Sequence, residues 1–178
     1  NFDMEVLKAY DTLIPKSFKS DLLRFALLYI YGGAYIDIKH ILNKIPRSIF
    51  NKEEYLLAQD RKKKNYKFKP VVTAFLYFKK SGNPRLLKCI KEIVKNVKAR
   101  DKTGHVLLIT GPLLLGKHFQ DVVPNIKFIS KKSPDKKFIY KYKGFSLIDN
   151  SLNDYYSMSS HESYWKLWKR KSVDYVFL

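Results

Sequence analysis

One run constrains this chain more than any other: "FKSDLLRFALLYIYGGAYIDIKH", residues 18–40. Leu22, Leu23, Phe25, Ala26, Leu27, Leu28 and Ile30 go all the way round a helix expected over 18–31. A helix that is apolar on every face is a buried one. Gly32 and Gly33 stop it and allow a sharp turn. A strand over 34–39 is expected next. Side chains on a strand alternate faces, so Ala34, Ile36 and Ile38 are expected in the core, with Tyr35, Asp37 and Lys39 opposite. In open α/β sheets ligands sit at the carboxyl ends of strands, which puts Asp37 where a ligand would be.

The helix carries its own anomaly. Asp21 and Arg24 stand three residues apart on one face, in apolar surroundings. Such residues are rarely fully buried unless paired. Either they form an ion pair that braces the helix, or two polar groups converge on a polar ligand.

Elsewhere the pattern alternates. A short helix is expected over 3–13, ended before Pro15, and strands over 54–59 and 71–78, with the basic block "RKKKNYKFK" (61–69) as a loop between them. Asn83 caps a helix with Pro84 at its first position. Leu86, Leu87, Ile90, Ile93, Val94 and Val97 form its apolar stripe, and Lys88, Lys91, Lys95 and Lys98 line the other side. "VLLITGPLLLGKHF" reads as a short strand, a turn at Gly111–Pro112 and a short helix. Strands are expected over 126–130 and 137–148, and the tail reads as a turn, a short helix and a last strand. No repeat or linker divides the chain, so residues 1–178 are expected to form one α/β domain.

The 178 residues carry a formal charge of +19 with 15% aromatic content. Charge of that size attracts nucleic acid, anionic lipid or phosphorylated small molecules. Nucleic acid is the weaker option, because Phe25, Tyr29, Phe75 and Tyr77 sit in apolar runs and no nucleic-acid-binding motif is present. Lysine is scattered over nearly every expected surface, as on an ordinary solvated face. The four histidines and Cys89 show no zinc spacing. "TGPLLLGKH" lacks the first glycine and the Ser/Thr of a P-loop. A lone cysteine and no apolar run of about 18 residues suit a cytoplasmic protein.

Taken together, residues 18–39 resemble the sugar-nucleotide-binding region of glycosyltransferases that contain the DXD motif. That group includes the yeast-type initiating mannosyltransferases, capsular-polysaccharide transferases and, more distantly, the glucosylating clostridial toxins. Its pattern is an Asp, two residues, an Arg, an apolar run, Gly-Gly, a spacer, Tyr, an apolar residue and Asp-X-Asp. Asp21, Arg24, Gly32, Gly33, Tyr35 and Asp37 fall on it in register. "TGPLLLG" is similar to a Thr-Gly-Pro turn of the family, and "HESYWKLW" to a C-terminal segment that closes over the donor diphosphate.

The resemblance implies a single GT-A-like domain with a mixed, mainly parallel sheet flanked by helices. It implies transfer of a hexose from a UDP- or GDP-sugar to an acceptor hydroxyl, with retention and usually with Mn²⁺ (or Mg²⁺). Asp21, Arg24, Gly33 and Tyr35 would bind the donor sugar, and Ser163 and Trp165 the diphosphate. Asp37 and His161 would be metal ligands, and Asp37 and Lys39 the catalytic pair. The acceptor would be a glycan, a lipid-linked sugar or a protein, and the basic face would allow peripheral contact with anionic surfaces.

Two departures stand out. Lys39 replaces the second carboxylate, and an ammonium cannot bind a cation at neutral pH. Three readings follow: Asp37, phosphates and a late ligand such as His161 still hold the metal; Lys39 itself neutralises the diphosphate; or the fold survives as a silent binding module. In addition, no Ile-His-X-X-Trp-like segment precedes Asn1, so the chain is expected to lack the N-terminal nucleotide-binding strand.

Overall fold

The computed structural model describes residues 4–38, 40–43, 47–60, 66–100, 105–122, 124, 127–130, 138–143 and 145–149. The elements, in chain order, are α1 (Met4–Thr12), α2 (Lys16–Tyr31), β1 (Gly33–Ile36), β2 (Ile41–Leu42), α3 (Arg47–Lys52), β3 (Tyr55–Leu56) and β4 (Phe75–Phe78). They continue with α4 (Pro84–Lys98), a 3₁₀ turn at Val106–Leu108, α5 (Pro112–His118), β5 (Lys127–Ser130), β6 (Phe138–Tyr142) and β7 (Phe145–Asp149).

Strand β4 organises the packing. All four of its side chains are buried. Leu76 and Phe78 join a core built with α1, α2, α4 and α5, while Phe75 and Tyr77 join a second core with Ile49, Leu56 and Tyr142. That is the two-residue alternation of a strand covered on both faces. Asn83 caps α4 as expected, its side chain accepting from the N–H groups of Arg85 (2.9 Å) and Leu86 (3.3 Å). The apolar stripe of α4 is buried except for the half-buried Leu87, and Lys88, Lys91, Lys95 and Lys98 are exposed.

The described strands do not show the mainly parallel sheet that the resemblance implies. One sheet has the order β1-β4-β3 and the other β2-β7-β6-β5, and every described strand pair is antiparallel. Periodicity marks a strand but carries no information about its direction relative to a neighbour.

Helix α2 is not buried all round. Leu23, Leu27 and Ile30 are 45%, 42% and 40% exposed and form a stripe on one side. Facing on β1 also differs from expectation. Tyr35 packs toward the helical core and Ile36 toward the second core, while Ala34 and Ile38 are exposed. The strand ends at Ile36, and a turn closed by the His40 N–H on the Asp37 carbonyl (2.9 Å) breaks the alternation. Residues 106–108 form a 3₁₀ turn rather than a strand, and 137–148 contains the two strands of a hairpin, β6 and β7. Short elements β2 and α3 add to the expected set.

The Gly32 turn fixes how α2 hands the chain to β1. Gly32 has φ +66°, and a Cβ there would lie 2.9 Å from the Lys80 carbonyl carbon and 3.0 Å from the Phe78 oxygen. Its N–H closes the helix on the Leu28 carbonyl at 2.9 Å. Only glycine combines that φ with so close an approach to backbone.

Candidate functional site

Helix α2 brings Asp21 and Arg24 against the end of β1 and the segment before β4. Both are buried, at 7% and 6% exposure. Arg24 donates from Nε to the Ser20 carbonyl (3.1 Å) and from Nη1 to the Thr73 carbonyl (2.6 Å). Its guanidinium stands between two carboxylates, with Nε 3.5 Å from Asp21 Oδ1 and Nη1 3.4 Å from Asp37 Oδ1. It also lies over the Tyr35 ring, 4.4 Å from the centroid, a cation–π arrangement.

Asp37 follows the last residue of β1, and its N–H donates to the Ala74 carbonyl at 2.9 Å. Its side chain is 24% exposed, and the Tyr35 hydroxyl donates to Oδ1 at 2.9 Å. The contacts from Tyr35 and Arg24 fall on the same oxygen.

Thr110 completes the cluster from the turn before α5. Fully buried, it donates its hydroxyl to Asp21 Oδ2 at 3.0 Å. Gly111 is packed close behind, where a Cβ would stand 3.4 Å from the same oxygen. Pro112 begins α5 and accepts from the Val71 N–H at 3.0 Å, tying that turn to the segment leading into β4. The turn's sequence signal is the Thr-Gly-Pro triplet, but the spacing along the chain gives no sign that Thr110 meets Asp21. The Thr73 carbonyl has no sequence signal at all.

Burial governs the charges. It pushes the Asp21 carboxyl up to about 6, against the opposing pull of Arg24 and the hydrogen bond from Thr110. Burial also pushes the Tyr35 hydroxyl up to about 12, so it remains a proton donor to Asp37 at any physiological pH. The site is therefore a partly buried, hydrogen-bonded array in which one cation is shared by two carboxylates. Its partly exposed end is Asp37.

Of the expected site residues, Asp21, Arg24, Tyr35 and Asp37 come together. Gly33, at φ +84°, supplies the backbone turn beside them and makes no side-chain contribution. Lys39, His161, Ser163 and Trp165 lie outside the described residues. Among the described residues no group of three His, Cys, Asp or Glu side chains could hold a metal ion. Asp37 is the more exposed of the two carboxylates, because Asp21 is enclosed by Arg24 and Thr110.

No helix among the described residues is long and apolar enough to cross a membrane. No curated protein matches the chain. Among solved structures it is similar to the PaToxG glycosyltransferase, at 23% identity and a TM-score of 0.43, over 60% of this chain and 36% of that one. The chain thus spans little more than a third of that structure's length. The model of the family described as capsular polysaccharide synthesis protein matches residues 1–174. Covering nearly the whole sequence, that match shows that the chain belongs to the capsular polysaccharide synthesis protein family.

Proposed function

We propose that this chain is a glycosyltransferase that moves a hexose from a UDP- or GDP-sugar to an acceptor hydroxyl with retention. One observation carries the reading. Asp21, Arg24, Tyr35 and Asp37, in register with the sugar-nucleotide-binding pattern, meet in one charged network at the end of β1. Membership of a polysaccharide synthesis family agrees with it.

In this reading Asp37 and Tyr35 meet the donor, and Arg24 fixes the Asp37 carboxylate from behind. Buried Asp21 and Arg24 contribute to donor-sugar recognition chiefly by setting that geometry and charge. Asp37, with His161 from the tail, would hold Mn²⁺, which when bound supplies positive charge for the leaving diphosphate. Ser163 and Trp165 would hydrogen-bond the diphosphate, and Lys39 would add a point charge near it. The acceptor is a glycan, a lipid-linked sugar or a protein.

The mutual satisfaction of Asp21 and Arg24 favours a second reading, in which the array is structural and the chain binds a donor without turnover. A panel of UDP- and GDP-sugars, assayed for hydrolysis and binding with Mn²⁺ or with chelator, separates the two. Turnover supports the transferase. Binding without turnover supports the silent module, and neither binding nor turnover of any donor overturns both.

A further inference from the structure

A groove lies elsewhere in the helical layer. Helical spacing puts Ile30 on the side of α2 opposite Asp21. There α1, α2 and α4 enclose a groove of about 930 Å³, the size of a small-molecule site. Val6, Tyr29, Ile30, Ile90 and Val94 give it an apolar lining. Lys91, Lys95 and Lys98 stand on its α4 wall, with Glu5 on α1. Lys98 is paired with Glu5. Lys91 and Lys95, one helical turn apart, form no ion pair among the described residues.

Those same two lysines also line a smaller, polar cavity of about 400 Å³, shared with Glu92, Asn96 and Lys117. Its carboxylate is already met: Glu92 takes the Lys117 ammonium at 2.6 Å and His118 Nε2 at 2.7 Å. Of the lysines that line the two cavities, Lys91 and Lys95 are the ones with no ion pair among the described residues. An apolar groove and a basic recess therefore adjoin at two lysines that form no ion pair among the described residues.

We propose that this face binds a single-chain amphiphilic anion, its alkyl chain in the α1/α2/α4 groove and its phosphate head at Lys91 and Lys95. Each half supplies what the other lacks. The groove alone would take any apolar chain. Exposed lysines alone would hold an anion only weakly, being fully hydrated and screened by salt. The shared pair selects a molecule with both features. The site is separate from the Asp21–Arg24–Asp37 array and does not depend on the reading given to that array.

Calorimetric titration of the full chain with monomeric hexyl, octyl and decyl phosphate tests this. Saturable binding is expected, tightening roughly fourfold per added CH₂ as chain burial dictates. Inorganic phosphate should bind at least tenfold more weakly than octyl phosphate, and so should octyl glucoside, which keeps the chain and loses the charge. The K91E/K95E variant should lose at least tenfold in octyl phosphate affinity with octyl glucoside unchanged. Ile30→Asn, at a partly exposed position, should weaken both. Equal binding of octyl glucoside and octyl phosphate would overturn the role of the lysines. Affinity independent of chain length would overturn the groove. Retention on phosphatidylglycerol vesicles without binding of any monomeric alkyl phosphate would replace the site with a membrane surface, and no saturable binding at all would refute it.

Discussion

Thr110 donates its hydroxyl to Oδ2 of Asp21 across 3.0 Å, joining the turn before α5 to the first half of α2. Both residues are buried, and the other oxygen of Asp21 faces Arg24 at 3.5 Å. Burial raises the Asp21 carboxyl, and Arg24 and this contact pull it back toward the charged form.

The first prediction concerns pH. The Asp21 pKa is raised in the fold from 3.8 to about 6, so the folded chain holds a proton that the unfolded chain releases. The stabilisation from this proton is complete below the unfolded pKa and is lost as pH rises through about 6. Asp21→Asn removes the titration. Relative to it, the parent chain should lose roughly 2 kcal/mol between pH 4 and 7. Urea unfolding of both proteins at several pH values measures the difference, and a difference that does not vary with pH would disprove the assignment.

Thr110→Val keeps the shape and deletes the donor. Leaving a buried carboxylate oxygen without its partner costs about 1–3 kcal/mol. The Asp21 pKa should rise further, so the variant's deficit should be larger at pH 7.5 than at pH 5. Serine at the same position should restore most of the loss.

Asp37→Asn should lower donor turnover at least ~100-fold, by analogy with other losses of charge aimed at a reacting group. Its unfolding midpoint should stay near that of the parent, since the amide oxygen can still accept from Tyr35 and the side chain is partly exposed. Tyr35→Phe removes only the 2.9 Å hydrogen bond and should cost about tenfold. Steady-state rates with the best donor decide both, and full activity in Asp37→Asn would remove it from the chemistry.

Chelation addresses the replaced carboxylate. If Asp37 holds a metal, turnover should fall at least tenfold in excess chelator and return with Mn²⁺. Undiminished turnover in chelator, combined with a large loss in Lys39→Met, would transfer the charge-neutralising role to Lys39.

The two turn glycines should differ. Both have positive φ, which costs a residue with a Cβ about 1–2 kcal/mol. At Gly33 a Cβ meets open space, whereas at Gly32 it meets the Lys80 and Phe78 backbone. Gly32→Ala should therefore destabilise by ~2 kcal/mol more than Gly33→Ala, read from urea midpoints. Equal losses would show that the α2–β4 approach relaxes freely.

By itself, the sequence determined much of the local structure and the register of the four residues that the fold brings together. Spacing of apolar residues placed α2 and α4, Asn83 and Pro84 started α4, and paired glycines ended α2, because these effects act within one or two turns of chain. The register of Asp21, Arg24, Tyr35 and Asp37 was also local, spanning one helix, one turn and one strand. Tertiary structure decided the rest. It set every described strand pair antiparallel, since pairing direction depends on how connections route through space. It left one stripe of α2 exposed, because a helix that is apolar all round is covered only where neighbours reach it. It turned the chain at Asp37, so that Tyr35 rather than Ile38 faces the helical core. It brought Thr110 and the Thr73 carbonyl to the charged pair, contacts between segments far apart in sequence that no periodicity encodes. Whether Asp21 is charged follows from that enclosure, because desolvation is a property of the folded surroundings and not of the residue.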